Sequence, residues 1–207
     1  MSREHILHRI RTSIGRSAGQ PIADPPPVRL RVSAAAMDER IATMCMRIEA
    51  LAGKTAVTPD PCGLVAGLVA GKTAVASNSS YLADCGIANL PGVRSGILDR
   101  DELRAACATV DIGITSADYA LADTGTLVMI ASPQEARLIS LLPPAHIAVV
   151  PRDRILTGLD ELFTVLPNPA TVTSSMVLIT GPSRTADIEQ ILVRGVHGPG
   201  QITVVIV

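Results

Sequence analysis

The run "VDIGIT" at residues 110–115 follows a helix-like stretch near 100–106 and opens into the polar segment "SADYALADTGT" at 116–126. Read outward from it, apolar runs keep alternating with helical patterns. Upstream lie a helix near 38–51, strand "TAVT" at 55–58, a helix near 60–70 and strand "TAVAS" at 73–77. Downstream come a helical turn "ADYALAD", strand "TLVMIA" at 126–131, a helix near 134–141, strand "HIAVV" at 146–150 and a short helix near 159–164. Strand "MVLIT" at 176–180, a helix near 185–194 and strand "ITVVIV" at 202–207 complete the series. This alternation predicts an α/β fold, a three-layer αβα sandwich with a mostly parallel sheet. Ligands of such folds sit beyond the carboxyl ends of the strands.

Residues 1–12 have helical spacing (Ile6, Leu7, Ile10), and "GRSAGQPIADPPPV" at 15–28 then breaks regular structure. The expected organisation is an N-terminal helical arm with a Gly/Pro linker over 1–30 and one α/β domain over 31–207. Arg3, Arg9, Arg11, Arg16, Arg29 and Arg31 face only Glu4 and Asp24 in the arm. It reads either as a basic element that docks on a partner or as a mobile arm without one.

The 207 residues are 47% hydrophobic, with no Trp, one Phe (Phe163) and two Tyr, so the core is built from aliphatic side chains. A net charge of −1 with scattered basic residues gives no nucleic-acid footprint, and single-strand binding lacks its aromatic platforms. Cys45, Cys62, Cys85 and Cys107 form no CxxC pair, hence no zinc or iron–sulfur signature, and no resident metal or cofactor is expected. The apolar window "GLVAGLVAG" at 63–71 is too short to cross a bilayer. With no apolar leader core at the N-terminus, a cytoplasmic location is expected.

The segment "AGLVAGKT" at 66–73 imitates a phosphate-binding loop. Ala66 stands where that loop needs its first Gly, and here a helix precedes and a strand follows, the reverse of the required order. Gly53 and Gly71 in the repeated "AGKTAV" read instead as helix C-cap glycines.

Three polar loops border the predicted strands. The first carries Asp118, Asp123, Thr124, Gly125 and Thr126, and reads as a tight turn or as a carboxylate with amide donors facing a substrate. The second, "TGPSRTADIEQ" at 180–190, offers Ser183 or Thr185 as helix N-caps, while Arg184 exceeds what a cap needs and suits an anion. Asp187 and Glu189 already complement that helix dipole. The third, "RGVHGPG" at 194–200, is a glycine turn holding His197. His146, opening an apolar strand, reads as a packed core-edge residue.

The runs "GITSADYALADTGTLVM" at 113–129, "LLPPAHIAVVPRDRIL" at 141–156 and "TGPSRTADIEQILVRGVHGPG" at 180–200 resemble the lactate-utilisation protein C family, or LUD domain. The family pattern reads Ala-Glu-Thr-Gly-Thr where this chain has Asp123 before Thr124-Gly125-Thr126, which keeps the charge and shortens its reach by one methylene. The resemblance implies a fold similar to the NagB/RpiA/CoA-transferase group. It also implies a part in oxidising L-lactate to pyruvate with partner proteins, at least one carrying iron–sulfur clusters. On this basis the chain is expected to be a non-redox component that binds a small carboxylate or a partner protein. The expected ligand-binding residues are Thr124, Gly125, Thr126, Gly181, Ser183, Arg184, Thr185, Asp187 and Gly198. The alternative is a CoA-transferase-like enzyme acting on a small carboxylate or acyl-CoA, with Asp123 as nucleophile or base and His197 as acid. A regulatory ligand-binding protein is a third reading. The loops at 123–126, 180–187 and 197–199 are expected to converge at one end of the sheet.

Overall fold

The structure, a computed structural model, describes residues 2–17, 19–21, 35–185 and 193–207. The linker with Arg29 and Arg31, the centre of the helix expected near 185–194, and Asp187 and Glu189 within it lie outside the described residues.

Six strands form a wholly parallel central sheet: β1 (Lys54–Val57), β2 (Ala74–Ala76), β3 (Val93–Arg94), β4 (Ile112–Ser116), β7 (Ala145–Val150) and β12 (Gln201–Ile206). Their order is β1-β12-β7-β4-β2-β3. In register, Gly113 of β4 lies beside His146 of β7, which lies beside Ile202 of β12. Helices α3 (Pro61–Val69) and α4 (Ser80–Asp84) cover one face through Val65, Val69 and Leu82, against Ile112, Ile114, Ile147, Val149 and Val205. On the other face α2 (Met37–Ala50) packs Ile41, Met44 and Ile48 on Ala148, Val150, Ile202 and Val204. Further along that face α5 (Arg100–Thr109) and α6 (Arg137–Leu141) enclose Val75 with Ala106, Cys107 and Ile139. Each fully buried aliphatic side chain contributes about 1.5–3 kcal/mol, and a core without aromatics relies on many of them.

A second sheet shares the α2 face. It contains β5 (Tyr119–Leu121), β6 (Thr126–Ile130), β8 (Ile155–Leu156) and β9 (Met176–Ile179) in the order β8-β5-β6-β9. β6 runs antiparallel to both its neighbours. The strands read at 126–131 and 176–180 therefore belong to a separate layer and not to the parallel sheet. The expected helical turn "ADYALAD" contains strand β5, because pairing with β6 and β8 satisfies its backbone. Short α7 (Leu159–Val165) packs beside this sheet through the buried Leu162.

Local chemistry sets several boundaries. Asp60 caps α3 by accepting from the Gly63 amide at 2.9 Å, with Pro61 pre-set at the first helical position. Asp99 caps α5 through the Asp101 and Glu102 amides. Gly71 takes a φ of 71° after α3, as a C-cap glycine does. After α2 that conformation falls on Ala52 instead, at 62°. Gly53 answers to packing: a Cβ there would lie 2.6 Å from Ile48 Cγ2. The helix expected near 134–141 starts only at Arg137, since Ser132 Oγ accepts from the Gln134 and Glu135 amides and holds those residues in a turn.

At the N-terminus α1 (Arg3–Ser13), capped by Ser2, contains no buried residue. Arg184 and Thr185 form strand β10, antiparallel to β11 (Val193–Arg194), so the expected helix does not begin at residue 185.

Candidate functional site

The chain leaves β2 outward to β3 and leaves β4 in the opposite direction, toward β7. The carboxyl ends of β2 and β4 thus flank a reversal of strand order, where open α/β sheets form a crevice. Ser77 follows β2, and Ser116 ends β4. Between them enters Glu135. Its Oε1 accepts from the Ser77 hydroxyl at 2.8 Å and from the Ser116 amide at 3.2 Å. The carboxyl is held from behind by the Ser132 turn and by the Asn78 amide donating to the Gln134 carbonyl at 2.9 Å.

Glu135 is 8% exposed, and neither its Oε2 nor the Ser116 hydroxyl has a hydrogen-bond partner among the described residues. Burial pushes Glu135 up to about 7, helped by the nearby Asp118 carboxylate and opposed by its hydrogen bonds and by Arg154. Half-buried Asp118 is also raised by burial, although the Ile130 amide donates to its Oδ2 at 2.6 Å. Arg154 lies with its guanidinium carbon 6.0 Å from the centre of the Tyr81 ring, and one nitrogen donates to the Ala117 carbonyl at 3.3 Å. It makes no ion pair among the described residues, which leaves guanidinium donors for an anion. Tyr81 is pushed up to about 12 by burial and the Cys85 thiol, so it stays a neutral donor. The crevice combines a buried carboxyl raised to about 7, a second carboxyl and a cation with unused donors.

The loops expected to converge at one end of the sheet lie at its amino end, opposite this crevice. The Gly200 amide donates to the Pro144 carbonyl, just before β12 and β7 begin, and the Arg184 guanidinium donates to the Leu51 carbonyl, just before β1. There Thr126 Oγ1 bonds Thr180 Oγ1 at 2.7 Å and Thr124 Oγ1 at 2.8 Å, and Thr124 bonds Asp123 Oδ1 at 3.1 Å. Gly125, at a φ of 67°, packs on α2: a Cβ would lie 2.9 Å from the Ile48 amide nitrogen. Gly181, at 79°, packs equally closely on Leu51. The Ser183 amide donates to the Pro199 carbonyl at 2.9 Å.

A pocket of about 200 Å³ here is lined by Thr180, Gly181, Ser183, His197 and Gly198, among others. Asp123 and Arg184 do not line it. Asp123 instead lies against Gly158, its amide donating to the Thr157 carbonyl. Thr185 is buried and Arg184 exposed. The structure thus brings together 124–126, 180–183 and 197–199 and leaves Asp123 outside the lining of the pocket that holds His197.

Ser77, Glu135 and Arg154 were not among the residues singled out from sequence. Glu135 sits in "SPQEARLIS", which has an ordinary helical pattern, and only the strand order brings Ser77 and Ser116 to it. His146 is 1% exposed in the core, with Nε2 2.8 Å from Thr115 Oγ1, and burial lowers it to about 4. No group of three or more His, Cys, Asp or Glu side chains suited to a metal ion occurs among the described residues. No helix among them is long and apolar enough to cross a membrane.

Residues 69–207 match the family described as LUD domain. Lactate utilization protein C of Exiguobacterium sp. (strain ATCC BAA-1283 / AT1b) is 40% identical over 108 residues, covering 50% of this chain and 47% of that one. Lactate utilization protein C of Bacillus subtilis (strain 168) is 40% identical over 101 residues, covering 47% and 42%. The chain spans about half the length of the curated relatives it matches. The crystal structure of a DUF162 family protein from Deinococcus radiodurans is similar with a TM-score of 0.64 at 19% identity, covering 83% of this chain and 98% of that one. That likeness carries the fold alone, and it agrees with the αβα sandwich.

Proposed function

The chain belongs to the LUD domain family, and from that membership we propose that it is a cytoplasmic component of an L-lactate utilisation system, binding a small carboxylate. Oxidation of lactate to pyruvate would then engage partner proteins that carry the iron–sulfur clusters. The matched relatives bearing the name lactate utilization protein C support this reading.

The observation that carries the carboxylate is the crevice at β2 and β4. Arg154 offers a planar fork to a carboxylate, and Glu135, close enough to feel the Arg154 charge, gives or takes a proton near neutral pH. A 2-hydroxy or 2-oxo acid suits this pair: its carboxylate meets the cation, and its C2 oxygen is left for the carboxyl side of the crevice. Titration calorimetry of L-lactate and pyruvate with the purified chain tests the reading. Arg154→Ala is expected to weaken binding tenfold to a hundredfold, and Arg184→Ala to leave it within twofold. The reverse pattern would move the ligand to the amino-end pocket beside His197.

A CoA-transferase-like enzyme is the second reading, favoured by one observation, a buried carboxyl at the strand ends. In it Glu135 replaces Asp123 as the reacting carboxylate, because Asp123 packs on Gly158 and does not line the pocket that holds His197. Transfer of CoA from acetyl-CoA to lactate by the purified chain alone, giving lactoyl-CoA and acetate, would establish it.

A further inference from the structure

On the flank of the crevice an open groove of about 710 Å³ runs between α5 and α6. Leu103, Leu138 and Leu142 form its apolar floor, and Leu142 is 43% exposed. Arg100, Arg104 and Arg137 stand around it. Arg100 and Arg104 are one turn apart on α5, hence on the same side of the helix, and neither makes an ion pair among the described residues. Among the described residues Arg137 donates only to the Ser175 hydroxyl, at 3.0 Å. Asp101 is the single carboxylate lining the groove, since Glu102 pairs with Arg94 at 3.2 Å outside it.

Three cations over leucines, on a chain whose net charge is −1, make a local field that a neutral apolar occupant would leave uncompensated. The groove spans about one turn of α5 and the five residues of α6, which matches the apolar side chains of one to two turns of a docked helix. We propose that this groove receives an acidic amphipathic helix of a partner protein, with apolar side chains on the leucine floor and carboxylates paired with Arg100, Arg104 and Arg137. Docking of this kind uses apolar anchors three and four residues apart, with charge fixing orientation.

The position adds a consequence. Ala136 lines the groove, and the residue before it, Glu135, bonds the Ser77 hydroxyl and the Ser116 amide in the crevice. A helix docked in the groove therefore presses on the back of the element that holds the crevice carboxyl. The inference rests on the reading above only in requiring a partner protein, and it does not depend on which carboxylate the crevice binds.

The test uses the full chain and a synthetic 14-residue helical peptide with Leu at positions 1, 4, 8 and 11 and Glu on its exposed face. A second peptide carries Lys for every Glu. Fluorescence anisotropy should show the acidic peptide binding at least tenfold more tightly than the basic one, with affinity falling as salt rises. Arg100→Glu combined with Arg104→Glu should abolish that preference, and Leu142→Asp should weaken binding while the salt dependence persists. Equal affinity for both peptides, or an unchanged preference in the double variant, would overturn the proposal. So would displacement of the acidic peptide by micromolar inorganic pyrophosphate, which would assign the arginines to a small polyanion. Should the double variant fail to fold by circular dichroism, Arg137→Glu alone serves, with the same loss expected in smaller measure. Peptide binding without lactate binding would leave the groove standing and remove the crevice reading, and lactate binding without peptide binding would do the opposite.

Discussion

The hydroxyl of Ser77 donates to the Glu135 carboxylate at 2.8 Å, joining the end of one parallel strand to a turn 58 positions further along the chain. The bond keeps Glu135 in place and does not make its charged form comfortable there, because burial outweighs it.

Stability should therefore fall as Glu135 ionises. Between pH 4.5 and about 7 the folded protein holds this proton and the unfolded chain does not, so rising pH destabilises the fold by on the order of 3 kcal/mol across that window. Glu135→Gln should remove this contribution, leaving a variant more stable than the parent at pH 8 and similar to it at pH 5. Urea midpoints at the two pH values measure the difference, and a constant offset would show that Glu135 does not titrate with folding.

His146 acts with the opposite sign. Its ring is lowered from 6.5 to about 4, so between those values the unfolded chain takes the proton first and acidification destabilises the fold. The two contributions oppose each other between pH 4.5 and 6.5. Relative to the parent, Glu135→Gln should tilt the stability profile upward with pH there, and His146→Gln should tilt it downward. Parallel profiles in both variants would contradict the burial argument.

Gly113 has no room for a side chain. A Cβ would lie 1.9 Å from the Ile139 carbonyl oxygen, in backbone that follows directly from the Glu135 turn. Gly113→Ala should cost about 3 kcal/mol and displace α6. Equilibrium unfolding gives the cost, and amide exchange at Ile139 and Ser140 reports the displacement; native stability in the variant would refute the close approach.

Thr126 and Thr180 share a hydrogen bond of 2.7 Å that ties β6 to the segment after β9. A double-mutant cycle with Thr126→Val and Thr180→Val should give a coupling of about 0.5–1 kcal/mol. Additive single effects would mean that the hydroxyls bond solvent instead.

Because α1 has no buried residue, deleting residues 1–21 should change the unfolding free energy of the domain by less than about 1 kcal/mol. Loss of cooperative unfolding would show that the arm belongs to the core.

The parallel strands were legible because "HIAVV", "ITVVIV" and "VDIGIT" are apolar runs between helical patterns, and burial on both faces leaves that trace. The second sheet was not legible. Tyr119–Leu121 has no strong period of its own, and its pairing with β6 and β8 decides its conformation. Thr185 likewise follows its partner Val193 and not the helical spacing read after it. At the site, Asp118 could be singled out from its place after a strand. Glu135 could not, since Ser77 and Ser116 become its partners only through the order of strands in the sheet. The glycines at 125 and 181 were noticed in sequence, and close packing on α2 and Leu51 accounts for both.

The last of the described strands, β12, lies between β1 and β7 and is the only central-sheet neighbour of β1. During synthesis β1 leaves the ribosome well before β12 and must wait for all the intervening strands before its partner arrives. Until then β1 and β7 each present an unpaired edge, so the sheet closes late, by contacts of high sequence separation, and folds slowly. A nascent chain halted before residue 201 would carry both edges exposed, an invitation to aggregation and a natural substrate for chaperones.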